Sequence, residues 1–150
     1  MYYLDSCICV DFLRGRLPGF RERLAASDPR LFGIPSVVRA ELLLGAEKSS
    51  KRVENRLKVE SFLIPFADIP FDDTCAVAYA DIRARLERSG RPIGPNDMLI
   101  AATARAHGAA LVTHNVREFK RVDGLTVIDW LEFPVPRKKV DSVAICTVRT

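Results

Sequence analysis

The sequence predicts an α/β protein in which helices cover both faces of a mainly parallel sheet. Short apolar segments of strand length alternate along the chain with longer segments that have helical periodicity. Short, apolar strands of this kind are typical of a parallel sheet that is buried on both faces. The chain has 150 residues, about the length of one domain, and we find no internal repeat. We therefore expect a single sheet with helices in the connections between its strands.

The predicted strands are five short apolar segments. The first ends at Asp5, where a turn or a helix begins, and the second ends at Pro35. The predicted strands cover residues 2–4, 31–34, 66–69, 110–113 and 126–128.

The predicted helices are segments with an apolar stripe or with residues that favour helix ends. Gly15 and Pro18 separate the first two, while Asp72 caps the longest helix and Gly90 closes it. The predicted helices cover residues 7–14, 20–26, 36–47, 50–63, 73–89, 96–107 and 116–121.

Composition and charge limit the class of protein. Hydrophobic residues make up 48% of the chain and charged residues 28%, which is ordinary for a globular domain. No apolar run is long enough for a transmembrane helix, and no basic segment precedes an apolar one at the N-terminus, so we expect a cytoplasmic protein without a membrane partner. The net charge of +4 permits a polyanionic partner without requiring one.

The cysteine pattern argues against a structural zinc site. The chain has no C-x-x-C pair and no histidine at ligand spacing from a cysteine. We expect the cysteines to pack as small apolar side chains with free thiols. They are Cys7, Cys9, Cys75 and Cys146.

Two acidic residues lie just beyond the ends of predicted strands. Asp5 follows the first strand, and ligands of open α/β sheets bind outside the carboxyl ends of the strands. Asp5 is either a residue of such a site or the N-cap of the following helix. Glu118 follows the fourth strand and is either part of the same site or a solvated loop acid, while Asn115 could cap the short helix there.

Two further acids lie on helix faces that are otherwise apolar. Glu41 falls between Val37, Val38 and Leu44 on a helical projection, where an uncompensated carboxylate is costly. A metal, a buried partner or a simple surface position are the alternatives for Glu41. Asp97 begins a helix that is apolar nearly all round, where it is either a site residue or an acid favoured by the helix dipole.

Together, the four acids point to a bound cation. Clustered carboxylates raise one another's pKa unless a positive charge compensates them. Oxygen-only ligand sets suit Mg²⁺ or Mn²⁺, and Mg²⁺ held by few carboxylates keeps open positions for phosphate-ester chemistry. The acids are Asp5, Glu41, Asp97 and Glu118.

The order and spacing of four motifs resemble the PIN-domain family, and most of all the VapC-type ribonuclease toxins of bacterial toxin–antitoxin pairs. The resemblance covers roughly residues 1–130. The motifs are Tyr3-Leu4-Asp5-Ser6, Ala40-Glu41-Leu42, Asn96-Asp97 with Ile100-Ala101-Ala102-Thr103-Ala104, and Thr113-x-Asn115-x-x-Glu118-Phe119.

The resemblance implies a three-layer α/β/α sandwich and a Mg²⁺- or Mn²⁺-dependent endoribonuclease. It also implies a homodimer that a small cognate antitoxin neutralises. It places the family's metal-site acids on Asp5, Glu41, Asp97 and Glu118, and its supporting polar residues on Ser6, Thr113 and Asn115. We expect the nuclease domain to cover residues 1–132, followed by a C-terminal extension over 133–150 that the resemblance does not account for.

The sequence departs from the family pattern at Cys7, where an Asn usually follows the first motif. An inert PIN-like interaction or RNA-binding domain therefore stays open as an alternative. A Mg²⁺-dependent phosphatase is the other, although such enzymes usually place a second Asp where Cys7 stands. His114 is expected to be an exposed loop residue or to touch substrate, and His107 to be structural.

Positive charge is expected along the approach of RNA to the acids. The arginines near residues 83–91 either contact phosphate or form a solvated helix face with Glu87. The candidates are Arg14, Arg16, Arg83, Arg85, Arg88 and Arg91.

Overall fold

A five-stranded sheet forms the centre of the protein, which is described here over residues 1–129 of a computed structural model. Every pair of neighbouring strands is parallel, and their order is β3-β2-β1-β4-β5. This confirms the predicted α/β class. The strands are β1 (Tyr2–Leu4), β2 (Phe32–Pro35), β3 (Ala67–Ile69), β4 (Ala110–Thr113) and β5 (Val127–Asp129).

The predicted domain boundary at residue 132 and the extension over 133–150 lie outside the described residues, so both stay predictions. Among the described residues, the helices occur in the predicted order. They are α1 (Ser6–Leu13), α2 (Phe20–Ala26), α3 (Ser36–Glu47), α4 (Arg52–Leu63), α5 (Asp73–Arg88), α6 (Pro95–Ala106) and α7 (Val116–Phe119).

Most element ends lie within one or two residues of the prediction, and two of the differences have a clear physical reason. Leu31 was expected in the second strand, but it ends a short 3-10 helix, Pro29–Leu31, because Asp28 accepts a hydrogen bond from the backbone N–H of Arg30. Helix α6 begins at Pro95 rather than at residue 96, since the first helical position needs no N–H donor and tolerates proline.

The order of the strands divides the helices between two layers. Connections between parallel strands are right-handed in nearly all proteins. The connections from β1 to β2 and from β2 to β3 therefore place α1–α4 on one face, and those from β3 to β4 and from β4 to β5 place α5–α7 on the other. Strands β1 and β4 lie side by side where the direction of the order reverses, which is the usual position of a ligand site in such sheets.

A glycine allows the sheet to pack closely near this position. Gly33 of β2 lies between Tyr3 of β1 and Ala67 of β3. A Cβ atom on Gly33 would lie 2.6 Å from Cγ1 of Ile69 and 3.1 Å from Cε1 of Tyr3. Any larger residue would therefore force neighbouring side chains to move.

Helix α6 is buried on most of its surface, as its apolar sequence predicts. Its fully buried residues include Ile100, Ala101, Ala102 and Ala104, which join the core that β1 and β4 also line. A helix fixed in this way holds both of its ends rigidly in place. No helix among the described residues is long and apolar enough to cross a membrane.

Candidate active site

Asp5 lies directly after β1 and caps helix α1. Its backbone N–H donates to the carbonyl of Val112 on β4 at 3.0 Å, which extends the pairing of the two strands by one residue. Its Oδ1 atom accepts a hydrogen bond from the backbone N–H of Ser6 at 2.8 Å. The capping alternative for Asp5 is therefore correct, and it leaves the carboxylate at the carboxyl edge of the sheet.

The Asp5 carboxylate is buried and is held by neutral donors. Its other oxygen, Oδ2, accepts a hydrogen bond from Oγ1 of Thr113 at 2.7 Å, and the Cys7 thiol donates to the same atom at 3.4 Å. Burial raises the pKa of Asp5, while the bonds from Thr113, Ser6 and Cys7 oppose that rise. No positive side chain of residues 1–129 is among the causes of the shift.

Cys7 contacts the site from the position where the family pattern usually has Asn. Burial, followed by the charge of Asp5, raises the pKa of the Cys7 thiol to about 11, so the thiol stays protonated at neutral pH. Its sulfur also accepts a hydrogen bond from the backbone N–H of His114 at 3.4 Å. The departure at Cys7 therefore preserves a polar contact with Asp5.

Glu41 projects from α3 towards the start of α6. Its Oε1 accepts a hydrogen bond from Nδ2 of Asn96 at 3.1 Å. Its Oε2 is buried and has no hydrogen-bond partner among the described residues. A buried carboxylate oxygen without a partner carries a desolvation cost, and a cation would relieve that cost.

Asp97 lies in the first turn of α6 and is coupled to the other three acids. Burial, followed by the charges of Asp5, Glu118 and Glu41 in that order, raises its pKa to about 6. The structure therefore brings all four predicted acids close enough to interact. Gly94 makes room for Asp97, since a Cβ on Gly94 would lie 3.2 Å from its Oδ2.

Glu118 lies in α7 and is half-buried. Its Oε2 accepts a hydrogen bond from Nδ2 of Asn115 at 3.2 Å. The backbone N–H of Asn115 in turn donates to Oγ1 of Thr113 at 2.9 Å. Thr113 thereby links the loop that carries Glu118 to the carboxylate of Asp5.

The four acids form a donor set that fits a divalent cation. All offer oxygen, two of the four are held by amide side chains, and one buried oxygen has no partner within residues 1–129. The charges of the other three acids favour the protonated form of Asp97 unless a cation compensates them. Mg²⁺ and Mn²⁺ match an oxygen-only set. The set, called the acid cluster below, consists of Asp5, Glu41, Asp97 and Glu118.

Two residues of this site carry weak signals in the sequence. Asn96 reads as a helix start, and only the fold brings it to Glu41. Gly94 belongs to a Gly- and Pro-rich loop, and its contact with Asp97 depends on the loop's conformation. For Asn96, the only sequence signal is its position next to Asp97. For Gly94, the sequence carries no signal.

The arginines predicted to contact RNA differ in their surroundings. Arg83 pairs with Glu87 and donates to Tyr79, and Arg85 pairs with Asp81, so this part of α5 has the features of a solvated, salt-bridged face. Arg14 instead lines a surface groove together with Glu41. The remaining candidates, Arg16, Arg88 and Arg91, are exposed.

His114, expected as an exposed loop residue or a substrate contact, is half-buried. Its ring nitrogens lie 3.6 Å from Oδ2 of Asp11 and 3.9 Å from Oδ1 of Asp129. His107 contacts Tyr3 and Asp72 at the other end of α6, in agreement with a structural position.

The four acids are placed near the carboxyl edge of a parallel α/β sheet, where ligands of such folds usually bind. The sequence matches the PIN domain family over residues 2–125. The chain therefore belongs to the PIN domain family, and the resemblance drawn from its motifs is confirmed.

Individual relatives agree with this assignment over most of the chain. The tRNA(fMet)-specific endonuclease VapC of Shigella flexneri is 39% identical over 129 residues, which cover 86% of this chain and 97% of the relative. Ribonuclease VapC2 of Rickettsia felis is 37% identical over 131 residues, covering 87% of this chain and 98% of the relative.

Solved structures give the same three-layer fold. VapBC2 from Rickettsia felis bound to a DNA fragment from its promoter aligns with a TM-score of 0.81 at 37% identity, over 86% of this chain and 98% of that one. DNA-bound VapBC from Salmonella typhimurium aligns with a TM-score of 0.82 at 36% identity, over 86% of this chain and 97% of that one. The three-layer α/β/α prediction is thereby confirmed.

Proposed function

We propose that this protein is a metal-dependent endoribonuclease and the toxin of a toxin–antitoxin pair. The observation that supports the proposal most is the coupling of Asp97 to the three other acids at one edge of the sheet. The relatives that share this fold over most of their length are named ribonucleases and endonucleases.

Asp5, Asp97 and Glu118 would hold a Mg²⁺ or Mn²⁺ ion, directly or through water, with Glu41 either a further ligand or the residue that orients the attacking water. The ion supplies charge neutralisation at the scissile phosphate and a lowered pKa for water. Oε2 of Glu41, which has no hydrogen-bond partner in the described part of the chain, can serve either role because Asn96 fixes the other oxygen.

The supporting polar residues orient the acids. Ser6 donates its backbone N–H to Oδ1 of Asp5, and Thr113 donates its hydroxyl to Oδ2, so the carboxylate plane is fixed. Asn115 orients Glu118 in the same way. Such neighbours commonly change metal affinity or activity by 10–100-fold when they are removed.

RNA is the proposed substrate, and a transfer RNA is the first to test. Two relatives at 36–39% identity are named tRNA(fMet)-specific endonucleases. Arg14 and Lys58 line the groove that also contains Glu41, where their charges would attract phosphates next to the acid cluster. The position of Cys7 argues against a phosphatase, because its protonated thiol occupies the site of the second carboxylate.

A small antitoxin and a second copy of the chain are the proposed protein partners. The solved relatives at 36–37% identity are described as VapBC complexes bound to DNA. Light scattering on the purified chain tests the homodimer, and co-expression with the cognate antitoxin tests the complex. A monomer over micromolar concentrations would contradict the first, and failure to co-purify would contradict the second.

Cleavage by the purified protein tests the activity. Initiator tRNA and a phosphomonoester are incubated side by side with Mg²⁺ or Mn²⁺, or with EDTA. We expect the RNA to be cut only with the metal ion and the phosphomonoester to persist. Cleavage that continues in EDTA would overturn the metal dependence, and turnover of the phosphomonoester alone would favour a phosphatase.

Growth tests the proposed toxin. Expression of the chain without its antitoxin is expected to arrest growth, and Asp97→Asn is expected to relieve the arrest at equal protein level. Unaffected growth with the wild type would contradict the toxin assignment while leaving the nuclease assay to stand by itself.

A further inference from the structure

A second group of metal-ligating side chains lies at the opposite end of α6 from the acid cluster. Asp72 caps α5, Cys75 lies in its first turn, and His107 follows the last residue of α6. Because α6 rises about 1.5 Å per residue, His107 lies about 15 Å along the helix from Asp97. No residue of this group belongs to the acid cluster.

The three donor atoms have the spacing of metal ligands. Nε2 of His107 lies 3.0 Å from Oδ2 of Asp72 and 3.6 Å from Sγ of Cys75, and all three atoms lie within 4.8 Å of one another. In a tetrahedral zinc site, Zn–N and Zn–S bonds of about 2.0 and 2.3 Å place N and S about 3.5 Å apart. The sulfur–nitrogen distance therefore already matches.

Independent contacts aim the donors at a common point. The Tyr3 hydroxyl lies 2.9 Å from Nδ1 of His107, which leaves Nε2 facing Asp72 and Cys75. The Thr74 hydroxyl and the backbone N–H of Cys75 both donate to Oδ1 of Asp72, which leaves Oδ2 facing the histidine. Ligands held from behind in this way are typical of metal sites.

We propose that Asp72, Cys75 and His107 form a binding site for Zn²⁺ or a chemically similar ion. The mixed sulfur, nitrogen and oxygen set favours Zn²⁺ over Mg²⁺. Asp72 is exposed and Cys75 is buried, so an ion can enter from solvent with water as the fourth ligand. Binding releases the thiol proton to solvent, while the single proton of the neutral imidazole moves from Nε2 to Nδ1, where it is donated to the Tyr3 oxygen.

The expected consequence is structural. The ion would join the start of α5 to the end of α6, and Tyr3 would link both to β1. Binding to the folded state alone raises the stability of that state, so Zn²⁺ should raise the Tm. The sequence spacing did not predict this site, because His107 is 32 residues from Cys75 and only the antiparallel packing of α5 and α6 unites them.

Titration of the metal-free chain with Co²⁺ tests the proposal, because a thiolate ligand gives a charge-transfer band that an oxygen-only site cannot give. We expect one equivalent to produce the band in the wild type, Cys75→Ser to abolish it, and Cys7→Ser to retain it. Cys7 is the matched control, since it is the thiol at the acid cluster. Absence of the band in the wild type, or its survival in Cys75→Ser, would overturn the proposal.

Zinc affinity provides the second readout. Asp72→Asn is expected to weaken Zn²⁺ binding at least tenfold in calorimetry, and Tyr3→Phe about tenfold through the lost support of the imidazole. Asp73→Asn, on the neighbouring exposed position, should bind as the wild type does. Equal affinities in Asp72→Asn and Asp73→Asn would refute the site even if both variants fold normally.

Discussion

The two ends of α6 place a carboxylate in opposite electrostatic surroundings. At the first turn, burial and then the charges of the three other acids raise the pKa of Asp97 to about 6. At the other end, hydrogen bonds from Thr74, Cys75 and His107 hold the pKa of Asp72 well below its usual range. The acid cluster is therefore unfavourable without a cation, whereas the group around His107 is satisfied with or without one.

The contrast shows which cluster depends on a ligand. Clustered like charges persist in a fold when the bound state compensates them, and such strain commonly marks a functional site. Complementary groups stabilise the fold by themselves, so a metal there adds stability without being required. The same chemical change should therefore have different effects at the two ends.

The largest expected effect is the loss of cleavage when one carboxylate of the acid cluster becomes an amide. Asp5→Asn and Asp97→Asn each remove a charge that would hold the cation, and we expect the rate of RNA cleavage to fall at least about 100-fold. Asn can still cap α1 at position 5, so the fold should persist. Initial rates at saturating Mg²⁺ measure the effect.

Asp73→Asn is the matched control for this prediction. Asp73 is exposed in the first turn of α5, and the substitution removes the same charge outside both clusters. Its rate should equal that of the wild type. Similar rates for Asp5→Asn and Asp73→Asn would show that the acid cluster is not the site of cleavage.

The sequence predicted the first of these two regions far better than the second. Helix α6 was predictable because its apolar residues leave few positions for an acid, which made Asp97 conspicuous. Asp5 was predictable because it follows a short apolar strand. Both signals are local, and they concern charged groups in apolar surroundings.

Contacts that depend on tertiary packing could not be predicted in this way. Asn96 meets Glu41 only because α3 and α6 pack together, and His107 meets Asp72 only because α5 and α6 do. The start of β2 was also predicted one residue too early, at Leu31. The Asp28 side chain accepts a hydrogen bond from the backbone of Arg30 and favours a short 3-10 helix there instead of a strand. Polar pairs between distant segments leave no periodic pattern in a single sequence.

A smaller effect is expected when the support of Asp5 is removed. Thr113→Val keeps the shape of the buried side chain but deletes the hydroxyl that donates to Asp5 and accepts from Asn115. We expect cleavage to fall about 10–100-fold, mainly through a higher Mg²⁺ concentration for half activation. Thr113→Ser should restore both values. An unchanged Mg²⁺ requirement in Thr113→Val would contradict the positioning role.

Replacing a carboxylate by an amide at the two ends of α6 should change the Tm of the metal-free protein in opposite directions. Because the folded-state pKa of Asp97 is raised from 3.8 to about 6, the unfolding free energy falls as pH rises between these values. Asp97→Asn should therefore raise the Tm at pH 7 in EDTA. The pKa of Asp72 is lowered, so its charge stabilises the fold above its usual pKa, and Asp72→Asn should lower the Tm.

Calorimetric scans from pH 4 to pH 8 separate the two cases. The Tm of Asp97→Asn should exceed that of the wild type by less towards pH 4, where the wild-type carboxyl is protonated. At pH 7, added Mg²⁺ should make the wild type the more stable of the two. A Tm for Asp97→Asn below that of the wild type throughout this range would contradict the view that the acid cluster is unfavourable without a cation.

The smallest effect concerns the charges that surround the acid cluster. Arg14 lines the groove beside Glu41, whereas Arg83 on α5 is engaged by Glu87 and Tyr79. If Arg14 contacts one phosphate, Arg14→Ala should reduce the slope of log affinity against log salt by about 0.7, the value for a single-stranded contact. Arg83→Ala should leave the slope unchanged. Binding of uncleaved RNA to the Asp5→Asn background at several salt concentrations measures both slopes, and an equal change in the two variants would mean that RNA does not approach along this groove.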